Sequence, residues 1–197
     1  KEDTRVQDQG NVDLQDQRQR QRYRGFAIAV GCLMFLLGMS ALAGWLLQIQ
    51  VIISLVPGFP SMAFNTALCF VLSGLGLAAS TLAARRFLIA ATVMTGIAAA
   101  IAAARLLEIV TIGRTFHNID LLITRFVIPP DFIAQIGGGM GPNTALVFLI
   151  ANLSLLFSLY VERRSQVVQE LTSYVVITLG MIALASYVTD AEQGYRW

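Results

Sequence analysis

The sequence predicts an all-α fold: an integral membrane helical bundle of about five transmembrane helices built from parallel two-helix repeats. Three observations carry that expectation. Of the 197 residues, 13% are charged and 56% hydrophobic, whereas a soluble domain carries about 25% charged residues. The charges are segregated, since of 14 basic and 12 acidic residues eleven fall within the first 24 positions. The remainder alternates between short polar stretches and apolar runs of the ~20 residues that a helix needs to cross a hydrocarbon core about 30 Å thick.

Residues 1–24 form a polar N-terminal arm, rich in Gln, Asp and Arg, with Val6, Val12 and Leu14 as its aliphatic residues. So little apolar area cannot drive folding of the segment alone. It is expected as a solvated disordered arm or as a polar helix continuous with the first apolar run, and it lacks the apolar centre of a signal peptide. Apolar runs then occupy residues 25–47, 62–84, 87–112, 140–161 and 171–189. Backbone exposed to lipid must satisfy its own hydrogen bonds, so these runs are read as transmembrane helices. The loop 113–139 contains Pro129-Pro130 and Gly137-Gly138-Gly139. Its residues Phe116, Ile119, Leu121, Leu122, Ile123, Phe126, Val127 and Ile128 predict a short amphipathic helix lying on the membrane surface.

Orientation follows from the arginines. Arg18, Arg20, Arg22, Arg24, Arg85, Arg86, Arg163 and Arg164 fall on one side of this threading, and Arg114, Arg125 and Arg196 on the other. The excess of basic residues against helix ends marks the cytoplasmic face. The N-terminus is therefore expected in the cytoplasm and the loop 113–139 outside. Trp45, Tyr187 and Trp197 lie near the outer helix ends, where amphipathic rings settle at the interface.

A repeat is written into the chain. Met62-Ala-Phe-Asn65-Thr-Ala-Leu-Cys-Phe70 returns as Met140-Gly-Pro-Asn143-Thr-Ala-Leu-Val-Phe148, with six of nine positions identical. Both copies open a helix entering from the same side, which makes the repeats parallel, related by an axis along the membrane normal. Pro142 suits a first helical turn. Asn65 and Asn143 are placed to bond free backbone groups or a neighbouring helix, and a ligand-binding role is the alternative. The run 171–189 is an outgoing helix without a returning partner, so a sixth helix opening on the same pattern is expected in the natural protein.

The Met-x-x-Asn-Thr-Ala-Leu-x-Phe helix starts resemble those of the N-terminal multi-helix membrane sensor region of bacterial sensor histidine kinases and diguanylate cyclases. The stretch Gly113-Arg-Thr-Phe-His-Asn-Ile119-Asp120-Leu121-Leu122, preceded by Leu107-Glu108, resembles the outer loop of that family. The second copy is the closer match, because Phe64 stands where the pattern has proline. The resemblance implies a non-catalytic sensory or input region in the bacterial inner membrane, perceiving an outer-side or membrane signal. No kinase, cyclase or nucleotide-binding segment is present in these residues. The alternative is an accessory structural subunit of a larger photosynthetic or respiratory membrane complex, favoured by the small-residue faces around Gly96–Ala100 and Ala102–Ala104.

Candidate chemistry is sparse. His117 is the sole histidine and falls in the loop, so haem or metal ligation with Asp120 is not expected. Cys32 and Cys69 lie within apolar runs as packing residues. Arg105 and Glu108 are spaced i, i+3 on one helix face, able to pair, and close enough to the outer end to reach the interface. With Asn65, Asn143 and Asp120 they form the candidate set for ligand or helix–helix polar contacts. Phosphate-binding loops, nucleophile elbows and paired carboxylates are missing, so no catalytic activity and no cofactor are expected. A transporter would want charges at mid-membrane, where the sequence has none. Membrane lipids and a second copy or other membrane subunits are the expected partners, and nucleic acid is not.

Overall fold

The computed structural model describes residues 2–54, 61–82, 84–111, 124–136, 139–160 and 165–188. Apart from short connections these residues are helical, with no strand among them. The elements are α1 (Glu2–Leu46), α2 (Gln50–Ser54), α3 (Phe64–Ser80), α4 (Arg85–Val110), α5 (Pro130–Ile136), α6 (Pro142–Tyr160) and α7 (Ser165–Val188), with a further helical turn at 124–127. Among the described residues three helices are long and apolar enough to cross a membrane: Gln21–Leu46 within α1, Arg85–Val110 and Pro142–Tyr160.

The polar arm is helical. α1 runs unbroken through 45 residues, and the disordered alternative gives way to the continuous one. Gln and Arg recur through the arm, and both are good helix formers. The apolar half supplies a turn already formed, so the polar half needs only propagation and escapes the nucleation cost that disfavours an isolated polar helix. At its other end α1 stops in a Schellman arrangement. Gln48 adopts φ 57, its N–H donates to the Trp45 carbonyl at 3.3 Å, and the Ile49 N–H donates to the Gly44 carbonyl at 2.9 Å.

α3 is shorter than the apolar run that encodes it, 17 residues. It stops because the Thr81 hydroxyl donates to the Ala78 carbonyl at 2.7 Å and its backbone N–H turns back onto the same carbonyl at 3.3 Å. α4 starts at Arg85, two positions before the apolar run, and α7 at Ser165, six before.

Small residues hold the bundle together. α1 and α3 pack antiparallel with backbones in contact: a Cβ on Gly31 would lie 2.7 Å from the Gly74 carbonyl oxygen, and one on Gly38 2.7 Å from that of Ala67. α3 turns its other side to α4, where a Cβ on Gly76 would lie 2.5 Å from the Thr95 methyl. α4 meets it with Ala91, Thr95, Ala98 and Ala102, all buried. α4 and α6 are antiparallel, tied by Thr92 and Tyr160 hydroxyls 2.9 Å apart. α3 and α6 run side by side in the same direction, with Phe70 edge-on to Phe148 at 5.1 Å between centroids. α7 packs on α6. The large aliphatic side chains point outward: Leu33 and Leu36 on α1, Ile89, Val93 and Ile97 on α4, Leu153 and Phe157 on α6. Small inside and large outside is the arrangement of helices packed in lipid, where close backbone approach rather than apolar burial drives association.

Candidate functional site

One end of the bundle, the motif end, gathers the starts of α3 and α6 with the last turns of α1 and α4. The opposite end, holding Arg22, Arg24, Arg85 and Arg86, is the arginine end.

At the motif end two backbone carbonyls are held in matching ways. The Trp45 indole N–H, on the last turn of α1, donates to the Met62 carbonyl at 2.8 Å. The Arg105 Nε, near the end of α4, donates to the Met140 carbonyl at 2.7 Å. Met62 and Met140 open the two copies of the nine-residue segment. Each carbonyl lies before the first helical turn, and each accepts from the long apolar helix before it, α1 for Met62 and α4 for Met140.

The surroundings differ in charge. Trp45 is fully buried, edge-on to Phe64 and Phe132 at centroid distances of 6.3 and 5.8 Å. Ile53 from α2, with Ile128 and Ile133 from beside and within α5, closes the same apolar cluster. The loop 113–139 thus covers the Trp45 side of the bundle through its described half, where the sequence predicts a helix lying on the surface. Arg105 makes an ion pair with Glu108, Nη1 to Oε2 at 3.1 Å, with the two side chains 22% and 12% exposed. The pair forms as the i, i+3 spacing predicts. Its guanidinium also reaches the backbone of the next helix start, which spacing alone does not reveal. A guanidinium suits this double duty because its donors diverge in one plane.

The other candidates separate. Asn65 is buried in the first turn of α3 and Asn143 is half-buried in the first turn of α6. Asp120, along with His117, lies outside the described residues. An inter-helix amide bond of the kind expected of the motif asparagines is made, at 2.9 Å, by Asn152 of α6, whose Nδ2 donates to Ser73 Oγ on α3. The same Nδ2 group donates to the Phe148 carbonyl at 2.8 Å. The available signal for Asn152 is a lone amide in the middle of an apolar run, a group that is costly in lipid unless paired. Cys69 is buried with its thiol 3.8 Å from the Ala98 carbonyl, and Cys32 is exposed. Among the described residues no three His, Cys, Asp or Glu side chains cluster as a metal site would require. The polar groups at the motif end are therefore arranged to hold helix ends against one another and to present a charged pair beside them. No protein-family model, no curated protein and no solved structure matches this chain.

Proposed function

We propose that this chain is the membrane-embedded input region of a bacterial signalling protein, with five inner-membrane helices, a cytoplasmic N-terminus and a signal perceived at the motif end. The observation that carries this reading is the pair of latched carbonyls, Met62 by Trp45 and Met140 by Arg105. It supports a bundle made of two like units, each an outgoing helix whose last turn clasps the start of its returning partner. Further support comes from the outgoing helices: Gly38-Met-x-Ala-Leu-Ala before Trp45 returns as Gly180-Met-x-Ala-Leu-Ala before Tyr187. That likeness makes α7 the opening helix of a third unit.

The latch gives the input a route. Arg105 ties α4, a helix of 26 residues reaching the arginine end, to the backbone that joins the loop 113–139 to α6. A ligand or partner that displaces the loop pulls on Met140 and shifts α6 against α4. This is a movement of one packed helix along another, a recurrent form of allosteric switching.

A second reading, an accessory subunit of a larger membrane complex, draws on α1. At 1.5 Å per residue its polar half extends about 35 Å beyond the apolar half, a rigid arm available for docking. Purification of the tagged natural protein from its own membranes separates the two. A lone homodimer is the expected result, and a fixed set of other subunits in constant ratio would replace the input-region reading with the accessory one.

A further inference from the structure

The arginine end carries exposed charge that the packing does not use. Arg22 and Arg24 on α1 and Arg85 and Arg86 in the first turn of α4 are all exposed. None of the four forms an ion pair among the described residues; Arg86 lies over the Phe87 ring, 4.9 Å from its centroid. The packing register sets them at one level. Gly31 rests against Ala78, where a Cβ would lie 3.2 Å from both the Ala78 Cβ and its backbone nitrogen. Arg24 lies seven residues before Gly31 on α1, and Arg85 six before Ala91 on α4, whose carbonyl oxygen stands 3.6 Å from a Cβ on Gly76. At 1.5 Å per helical residue both arginines fall at one level, about 10 Å from these contacts along the bundle. Immediately beyond it the helix surfaces become apolar and outward-facing, with Phe26 on α1 and Ile89 on α4 both exposed. Glu170 on α7 is the acidic side chain described toward this end.

Four guanidinium groups without an acidic partner among the described residues, at the level where an apolar belt begins, match one ligand in charge and in height. We propose that the arginine end is a binding surface for anionic phospholipid headgroups, with Arg22, Arg24, Arg85 and Arg86 as the headgroup ligands. Guanidinium groups take phosphate oxygens two at a time, and basic residues next to a membrane helix draw anionic lipid out of a mixed leaflet. The inference rests on the membrane-spanning reading under the proposed function.

The test is lipid selectivity in a bilayer. The full chain is reconstituted in phosphatidylcholine with a trace of spin-labelled phosphatidylglycerol or spin-labelled phosphatidylcholine, and the motionally restricted fraction of each label is compared by electron paramagnetic resonance. The wild type should restrict the anionic label with about fivefold preference, the equivalent of one charge contact near the surface. The preference should fall toward unity in R22Q/R24Q/R85Q/R86Q. It should also fall in the wild type at about 1 M salt, where the Debye length is about 3 Å, so the outcome does not hang on the variant folding. Equal restriction of both labels, or a preference insensitive to salt, overturns the proposal and leaves the patch to a protein partner. Loss of the preference to inorganic phosphate at constant ionic strength overturns it in favour of a free anion. Absence of a restricted component for either label would instead overturn the membrane-spanning reading itself.

Discussion

At the residue scale, glycines divide sharply by position. Gly74 meets the Gly31 carbonyl oxygen, to which an added Cβ would stand 2.6 Å away, and the Phe35 nitrogen at 2.8 Å. Both are backbone atoms and cannot rotate aside. Gly74→Ala should therefore force α1 and α3 apart and destabilise the chain by about 1–3 kcal/mol, the usual cost of overpacking. Gly96 lies in the interior of α4 with nothing within 4 Å of its would-be Cβ, so Gly96→Ala should stabilise by about 0.5–1 kcal/mol through helix propensity. Thermal unfolding in detergent measures both, and shifts of the same sign would contradict the packing described. The latch gives a second contrast. Arg105→Ala removes the bond to the Met140 carbonyl and the ion pair to Glu108, for a loss of about 1.5–3 kcal/mol, the range for hydrogen bonds to charged groups. Arg105→Lys, with one compact ammonium in place of a planar fork, should recover the ion pair and leave a smaller loss. Full recovery by lysine would mean that the planar fork is not needed to serve Met140 and Glu108 together.

At the element scale, the apolar runs are legible in the sequence because bilayer length and helix length are the same constraint. The helical state of residues 2–24 is not, because local composition does not register a helix already nucleated next door. The spacing of Arg105 and Glu108 discloses their pairing, whereas the bond to Met140 depends on where α6 starts in space. Likewise the small stripe on α4 is visible in the sequence, but that it faces Gly76 and Cys69 of α3 is a tertiary fact. The two motif asparagines stand out through repetition, whereas no repeat marks Asn152, which bonds Ser73 across α6 and α3. The continuity of α1 is open to a direct measurement. Spin labels at positions 7 and 21, fourteen residues apart on one helix, should show a narrow distance distribution centred near ~21 Å. A broad distribution would show that the polar half does not propagate from the apolar half.

At the scale of the whole molecule, the question is how many times the chain crosses. Three helices meet the length and composition for a span, while α3 and the apolar part of α7 are shorter. Seventeen residues rise about 25 Å, at the lower limit for a hydrocarbon core of about 30 Å. Yet α3 is the most enclosed element, with α1 on one side, α4 on another and α6 alongside, so it can accept a short span without meeting lipid around its whole circumference. Its antiparallel packing with both α1 and α4 also requires the chain to reverse at each of its ends. Five crossings and three make opposite predictions for single cysteines placed in a cysteine-free background at the exposed positions Ala84, Asp131 and Glu170, with exposed Gln21 and Gln50 as references common to both. With five crossings and a cytoplasmic N-terminus, a membrane-impermeant maleimide should label Gln50 and Asp131 in intact cells, and Gln21, Ala84 and Glu170 only after permeabilisation. With α3 re-entering and leaving on one side, and α7 not crossing, Ala84 and Glu170 would join Gln50 in the accessible set and Asp131 would leave it. Labelling of Ala84 from outside would thus remove α3 as a span and, with it, the pairing of outgoing and returning helices on which the two-unit reading depends.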